Sequence, residues 1–296
     1  MTGVGAEDET FELVALANGG HSLRSHANGQ TFHPVIGPMA EAQGLHVRGT
    51  RLVERANALP PGEELVVWDV GLGAAANALA AIQALAAGYT RTEPIRLTSY
   101  DRSLTALEFA LRHAKALGYP CGYEGALQDL LSQRATVLPI GGTQVHWQVV
   151  VNDFTRLNGE WSSPAPHAVF YDPYSPTVNP EMWTLELFTS LRAGLREDTP
   201  CLLTNYTRST AVRVTLLLAG FYVGVGPHIG EKDETTVTTN DPALLERPLP
   251  GEWLEGKVYA STNAAPLREN GARGPINPED FERLQGHPQF QAIPRR

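Results

Sequence analysis

The sequence predicts an α/β fold, a sheet of parallel strands with helices on both faces. Three observations carry that prediction. From residue 65 to about residue 240, strand-like and helix-like stretches alternate, as parallel strands joined by crossover helices require. The apolar stretch Leu65–Val70 runs into Gly71-Leu72-Gly73, and an Ala/Leu-rich helix follows at once. Such glycines allow a tight turn and close approach to a ligand, and the helix N-terminus offers unpaired N–H groups. The later strands end in carboxylates: Asp101, Asp153 and Asp172. In a parallel sheet those ends converge at the carboxyl edge, where ligands bind.

Taken in order, residues 1–10 form an acidic tail with no periodic pattern. Residues 11–16 (Phe-x-Leu-Val-x-Leu) alternate as a strand, Asn18-Gly19-Gly20 is a turn, and residues 22–24 can pair back as a hairpin. Residues 30–38 carry two prolines, which forbid a long helix. A short helical turn over residues 39–44 leads to Leu45-His46-Val47, and residues 51–59 form a helix stopped by Pro60-Pro61-Gly62. That stop separates a β-rich N-terminal extension, 1–60, from a core domain, 61–240.

In the core, strand Leu65–Val70 is followed by a helix over residues 74–87 that buries Leu79, Ile82 and Leu85 and closes at Gly88. Residues 95–100 form the second strand, ending in Asp101, about 28 residues past the glycine turn, where a Rossmann-like site places a carboxylate for ribose hydroxyls. Helices follow over residues 104–117 and 125–133, then a turn at Pro139-Ile140-Gly141-Gly142. The third strand, 144–151, delivers Asn152-Asp153, and the fourth, Ala168–Tyr171, delivers Asp172. A helix over 181–195, a fifth strand 201–205, a helix over 210–219 ended by Gly220, and strands 221–225 and 234–239 complete the core. Residues 241–296 are polar and proline-rich, which predicts a loosely structured tail packed over the core.

Composition narrows the function. At 296 residues, with 42% hydrophobic and 19% charged, the chain can bury a full core. Its two cysteines, Cys121 and Cys201, lie far apart, which fits a reduced, cytoplasmic setting. No apolar run reaches membrane-spanning length, and the nine histidines make no His-x-x-x-His motif, so neither a membrane span nor a metal site is expected. The net charge of −9 argues against a large nucleic-acid footprint while leaving room for a local basic patch, with Lys232, Arg208 and Arg213 as candidates.

Gly71-x-Gly73-x-x-Ala76 also fits a dinucleotide fingerprint. Asp69, two residues ahead, suits a cationic ligand better than a pyrophosphate, and Asp-x-Gly-x-Gly resembles motif I of S-adenosylmethionine (SAM) methyltransferases. Asp172-Pro173-Tyr174 resembles a shortened Asp/Asn-Pro-Pro-aromatic motif of amine N-methyltransferases, in which a carboxylate or amide orients the amine and the ring stacks on the substrate. The longer run Ala168-Val169-Phe170-Tyr171-Asp172-Pro173-Tyr174-Ser175-Pro176, with Asn179-Pro180-Glu181-Met182-Trp183, resembles the methyltransferase domain of the bacterial tRNA-modifying MnmC family (the DUF752, or MnmC2-like, proteins). Val212-Arg213, Leu216 and Ala219-Gly220-Phe221, then Gly230-Glu231-Lys232, continue the match, and upstream Thr31-Phe32-His33, Gly37, Glu41 and His46-Val47 resemble the family's N-terminal segment. The resemblance spans about residues 20–240.

It implies a class I SAM-dependent methyltransferase with a seven-stranded, Rossmann-like sheet whose last strand is antiparallel. The implied reaction is methyl transfer to the aminomethyl nitrogen at C5 of the wobble uridine of tRNA. Carried over by position, Gly71, Gly73 and Asn77 belong to the SAM-binding turn, and Asp69 joins them as a SAM-binding residue. Asp101 holds the ribose hydroxyls, Asp153 the adenine amino group, and Glu41 the SAM amino group. Asp172, Tyr174 and Ser175 flank the acceptor amine, while Lys232 and Arg213 face the substrate. The departures are also specific: the family's Gly-x-Gly-Thr-Gly-x-Asn is here Gly71-Leu72-Gly73-Ala74-Ala75-Ala76-Asn77, Pro34 replaces a serine, and Asp233 replaces a basic residue. Fused family members carry a flavin oxidoreductase domain C-terminal to this one; no Gly-x-Gly-x-x-Gly follows here, so methyl transfer alone is expected. Two alternatives stay open: a small amine metabolite as acceptor, or SAM binding without catalysis.

Overall fold

The computed structural model describes residues 11–33, 36–157, 159, 161, 163–230 and 234–291. A two-stranded antiparallel hairpin, β1 (Phe11–Ala15) and β2 (His21–Ser25), precedes α1 (Pro38–Ala42), which runs without a break into a π-helical turn, Gln43–Arg48. With α2 (Leu52–Asn57) this makes the N-terminal extension more helical than β-rich. Prolines stop a helix over residues 30–38 but leave the stretch after Pro38 free to wind, because proline is tolerated in a helix's first turn.

The core follows the predicted alternation: β3 (Leu65–Val70), α3 (Ala76–Gly88), β4 (Ile95–Asp101), α4 (Thr105–Arg112), α5 (Ala114–Leu117) and α6 (Glu124–Gln133). A hairpin of β5 (Ala135–Ile140) and β6 (Thr143–Val151) comes next, then β7 (Ala168–Tyr171), α7 (Leu185–Gly194), β8 (Leu202–Asn205), α8 (Thr210–Leu218), β9 (Tyr222–Val225) and β10 (Thr236–Thr239). The sheet has eight strands in the order β5-β6-β4-β3-β7-β8-β10-β9. The expected seven are all present, and the β10 strand runs antiparallel to both its neighbours, as the resemblance implied. The eighth, β5, is not expected from the sequence, and it takes in Pro139-Ile140 from the expected turn: Ala135-Thr136-Val137-Leu138-Pro139-Ile140 lacks clean alternation, and its proline is tolerated because β5 is an edge strand.

Every residue of β3 is buried, so its two faces feed two cores. Val67, Leu97 and Phe170 pack under α3, α4 and α6; Val66, Trp68, Val169 and Tyr171 pack under α7 and α8. The C-terminal segment is less loose than its composition suggests. Leu249, Leu254, Val258 and Leu284 complete the second core, and the helix Pro278–Gln285 is capped by Asn277, whose side chain accepts from the Asp280 N–H at 2.8 Å. From β3 the parallel strands run to β4 and β6 on one side and to β7 and β8 on the other. That reversal opens a crevice at the carboxyl ends of β3 and β7.

Candidate active site

A cavity of about 770 Å³ occupies this crevice, within the range of a cofactor site. The ends of β3, β4, β6 and β7 form its floor, and the segment from β1 to α1 forms a wall through Phe11, Gln30, Phe32, His33 and Glu41. The sequence places a glycine turn at one strand end and carboxylates at three others; the sheet brings Gly71, Gly73, Asp101, Asp153 and Asp172 to one cavity.

The glycine turn requires its glycines. Gly71 has φ 95°, and a Cβ there would lie 2.7 Å from the Asp172 carbonyl oxygen; Gly73 has φ 49° and faces the Phe32 ring at 3.0 Å. The family's third glycine is Ala75, which adopts a left-handed backbone (φ 66°) just before α3. Alanine there costs about 1–2 kcal/mol relative to glycine, but the turn keeps its shape. Asp101 closes the turn from β4: Oδ2 accepts from the Gly73 N–H at 2.9 Å and Oδ1 from the Ser103 N–H at 3.2 Å. Asp153 lines the cavity while Oδ1 caps the turn Phe154–Arg156, accepting from Thr155 N at 3.0 Å and Thr155 Oγ1 at 2.7 Å.

Asp69 does not line the cavity. It is wholly buried beneath the glycine turn, where Oδ2 accepts from Ser99 Oγ at 2.8 Å, and Ser99 in turn accepts from Trp147 Nε1 at 3.0 Å. The expectation that Asp69 contacts the ligand is corrected: a β-strand alternates its faces, and position 69 points into the sheet's packed side. Burial, with Asp172 and Asp101 nearby, pushes its carboxyl up to about 8, against the pull of Ser99.

The loop after β7, expected from the sequence to meet the acceptor, lines the cavity through Asp172, Pro173, Tyr174 and Ser175. Asn77, on the first turn of α3, donates from Nδ2 to Asp172 Oδ2 at 2.8 Å. Asn77 therefore ties the glycine turn to the acceptor loop. Tyr206 donates to the Pro173 carbonyl at 3.1 Å, and Gln30 Nε2 donates to Ser175 Oγ at 2.7 Å. The Asn-Pro-Glu-Met-Trp string is the scaffold of this loop. Trp183 Nε1 donates to the Tyr174 carbonyl at 2.8 Å, the Asn179 N–H donates to the Ser175 carbonyl at 2.8 Å, and Tyr171 donates to the Met182 carbonyl. The Tyr174 ring meets Phe32 edge to face at 5.7 Å between centroids.

Glu41, only 6% exposed, reaches the same place from α1. Between it and Asp172 lies His33, and behind Asp172 lies His46, whose Nδ1 is 2.8 Å from Thr204 Oγ1. Burial, then the charge of His33, lowers His46 to about 3, so it stays neutral. The sequence held His33 and His46 only as family positions and gave no role to Gln30 or Tyr206. Gln30 and Ser175 are 145 residues apart, and no periodic pattern connects a loop to a strand end at that separation.

The substrate-side cations are not both in place. Arg213 is 4% exposed and turned inward, with Nε on Thr236 Oγ1 at 3.1 Å, Nη1 on Glu234 at 3.1 Å and Nη2 on the Thr235 carbonyl at 2.9 Å. It pins α8 to β10 and cannot reach a substrate, which corrects its assignment as a substrate-binding residue. Lys232 lies outside the described residues. Among the described residues, no cluster of His, Cys, Asp and Glu could hold a metal ion, and no helix is long and apolar enough to cross a membrane.

The site fits SAM on its own geometry: glycines that a Cβ would crowd, a carboxylate braced at the end of β4, and a cavity of cofactor size. Comparison with known proteins agrees. Residues 124–241 match a family described as S-adenosyl-L-methionine-dependent methyltransferase. The tRNA 5-methylaminomethyl-2-thiouridine biosynthesis bifunctional protein MnmC of Ectopseudomonas mendocina is 29% identical over 218 residues, 71% of this chain and 32% of that protein. The protein of the same name from Hahella chejuensis is 25% identical, covering 80% of this chain and 39% of that one. The chain thus spans about a third of the length of these relatives. The crystal structure of MnmC2 from Aquifex aeolicus superposes with a TM-score of 0.69 at 25% identity, covering 96% of this chain and 85% of that one. The chain thus has the class I fold of methyltransferases that use S-adenosyl-L-methionine, and it is similar to the MnmC proteins.

Proposed function

We propose that the enzyme methylates the aminomethyl nitrogen at C5 of the wobble uridine in tRNA, the MnmC2-type reaction. A tRNA acceptor places that reaction in the cytoplasm. The observation that carries the reading is the Asn77–Asp172 hydrogen bond at 2.8 Å, which sets a carboxylate for an amine directly beside the cofactor turn. The names of the relatives support the acceptor, because both concern a 5-methylaminomethyl uridine.

Bound SAM supplies an electrophilic methyl group on a sulfonium. The chain's residues do the rest. Asp101 would hold the cofactor's ribose hydroxyls, Gly71 and Gly73 its methionine part, Asp153 the adenine and Glu41 the amino group. Asp172 accepts the amine's hydrogens and aims its lone pair along the transfer line, while Tyr174 stacks on the base and Ser175, held by Gln30, fixes the loop edge. Orientation of this kind contributes more to methyl transfer than acid–base power, since the attack is in line and the product amine can leave protonated.

The test is methyl transfer from labelled SAM to unmodified and aminomethyl-bearing tRNA, with wild type and Asp172→Asn in parallel. Wild type is expected to label only the aminomethyl tRNA. Asp172→Asn should bind SAM within a few-fold of wild type and lose about 10²- to 10⁴-fold in turnover. Equal rates for the two proteins would remove Asp172 from the mechanism. A wild type that binds SAM but labels neither tRNA would turn the assignment toward a small amine, or toward binding without catalysis.

A further inference from the structure

The backbone at Asp172 has little freedom. Its N–H donates to the Val70 carbonyl at 2.9 Å, and its carbonyl oxygen packs so close to Gly71 that a Cβ there would lie 2.7 Å away. What remains to be set is the rotation of the Asp172 side chain about its own bonds. Asn77 meets that side chain from the first turn of α3, with Nδ2 2.8 Å from Oδ2, a hydrogen bond in length. His33 and His46 stand 3.7 Å and 4.0 Å from the same oxygen, with Glu41 on the far side of His33. The Tyr206 hydroxyl and the buried Asp69 also feel the Asp172 charge.

Asn77 itself is 3% exposed, and its Oδ1 is buried with no hydrogen-bond partner among the described residues. A buried carbonyl left unpaired costs about 1–3 kcal/mol. An ionised carboxylate only accepts, so the amide must present Nδ2 to Asp172, and this orientation is what strands Oδ1. Being buried, Oδ1 presents no surface to a ligand. The bond to Asp172 is therefore what the amide is placed to make.

We propose that Asn77 is a positioning residue for the transfer step: it acts through Asp172, holding the carboxylate at the angle from which it orients the acceptor amine, and it does not bind the cofactor. This reassigns a residue that the sequence puts in the SAM-binding turn, and it rests on the reading of Asp172 given above. α3 starts directly after the glycine turn, with Ala75 left-handed at φ 66° and Asn77 one residue into the helix. One short stretch thus shapes the backbone beneath the cofactor and sets the angle of the acceptor carboxylate. In-line transfer depends on such angles, since a displacement of about 1 Å can cost about 10²-fold in rate.

The test is a double-mutant cycle on Asn77→Ala and Asp172→Asn in the full chain. Single-turnover methyl transfer to aminomethyl tRNA gives the rate, its dependence on tRNA concentration gives acceptor binding, and calorimetry gives SAM affinity. Asn77→Asp joins as an isosteric variant that keeps the shape and loses the donor, and it carries the cycle if Asn77→Ala fails to fold. Both Asn77 variants are expected to bind SAM within about threefold of wild type and to lose roughly 10- to 100-fold in rate at saturating tRNA. In the Asp172→Asn background the same changes should cost less than about threefold more, because a residue that acts through another loses its effect once that other is replaced. Losses that multiply in the double variant would overturn the proposal. So would a fall in SAM affinity that matches the fall in rate, which would return Asn77 to the cofactor. Asn77 variants as fast as wild type beside a slow Asp172→Asn would overturn the proposal and spare the reading of Asp172. A wild type silent on this tRNA, or an Asp172→Asn as fast as wild type, would instead overturn that reading, and the proposal with it.

Discussion

At the scale of single residues, the site separates groups that look equivalent in sequence. Asp69, Asp101 and Asp172 all stand at or near strand ends, yet only the last two line the cavity. Asp69 has a distinct consequence for stability. Its carboxyl titrates at about 8 when folded, against 3.8 for the ordinary group. Between those values the folded chain holds a proton that the unfolded chain has released, so stability falls as pH rises through the window. The penalty is complete above about pH 8 and amounts to at most about 6 kcal/mol, since one unit is worth about 1.4 kcal/mol. Asp69→Asn carries no charge to desolvate. Urea unfolding at pH 5 and pH 9 should therefore show the variant gaining on wild type at the higher pH. An unchanged difference between the two proteins at both pH values would mean that Asp69 titrates normally.

At the scale of elements, the acceptor loop is held by contacts from three directions: Asn77 on α3, Gln30 after β2, and the turn Pro180–Trp183. Elements far apart in sequence thus fix one short loop. Arg213 does similar work elsewhere, joining α8 to β10 and its approach. Arg213→Met should leave Thr235 and Thr236 oxygens without that donor and destabilise the fold by about 1–3 kcal/mol. SAM affinity below the melting transition should hardly change. If thermal unfolding of Arg213→Met matched wild type while tRNA binding fell, Arg213 would be a substrate contact after all.

At the scale of the whole molecule, a net charge of −9 must be reconciled with the proposed polyanionic partner. Exposed cations do stand near the mouth of the cavity: Arg102, 58% exposed, lines it 3.6 Å from Glu181, and Arg273 donates to the Pro176 carbonyl at 3.0 Å. Binding to tRNA should fall steeply with salt, and Arg102→Ala should flatten the log–log slope by roughly 0.7–0.9, the share of one phosphate contact. Salt-independent binding would favour a small amine as acceptor. The sequence by itself determined the α/β alternation, the glycine turn and the carboxylates at strand ends, because those depend on periodicity and on residues with restricted local roles. It also carried the likeness to the MnmC proteins, through the runs around Asp172 and Asn179. Only the tertiary structure decided which carboxylate faces the cavity, that Arg213 is interior, that β5 extends the sheet, and that His33 lies between Glu41 and Asp172. Those facts depend on which face of an element is turned inward and on which loops meet across the sheet edge. Both are fixed by packing between segments distant in sequence, where no local pattern leaves a trace.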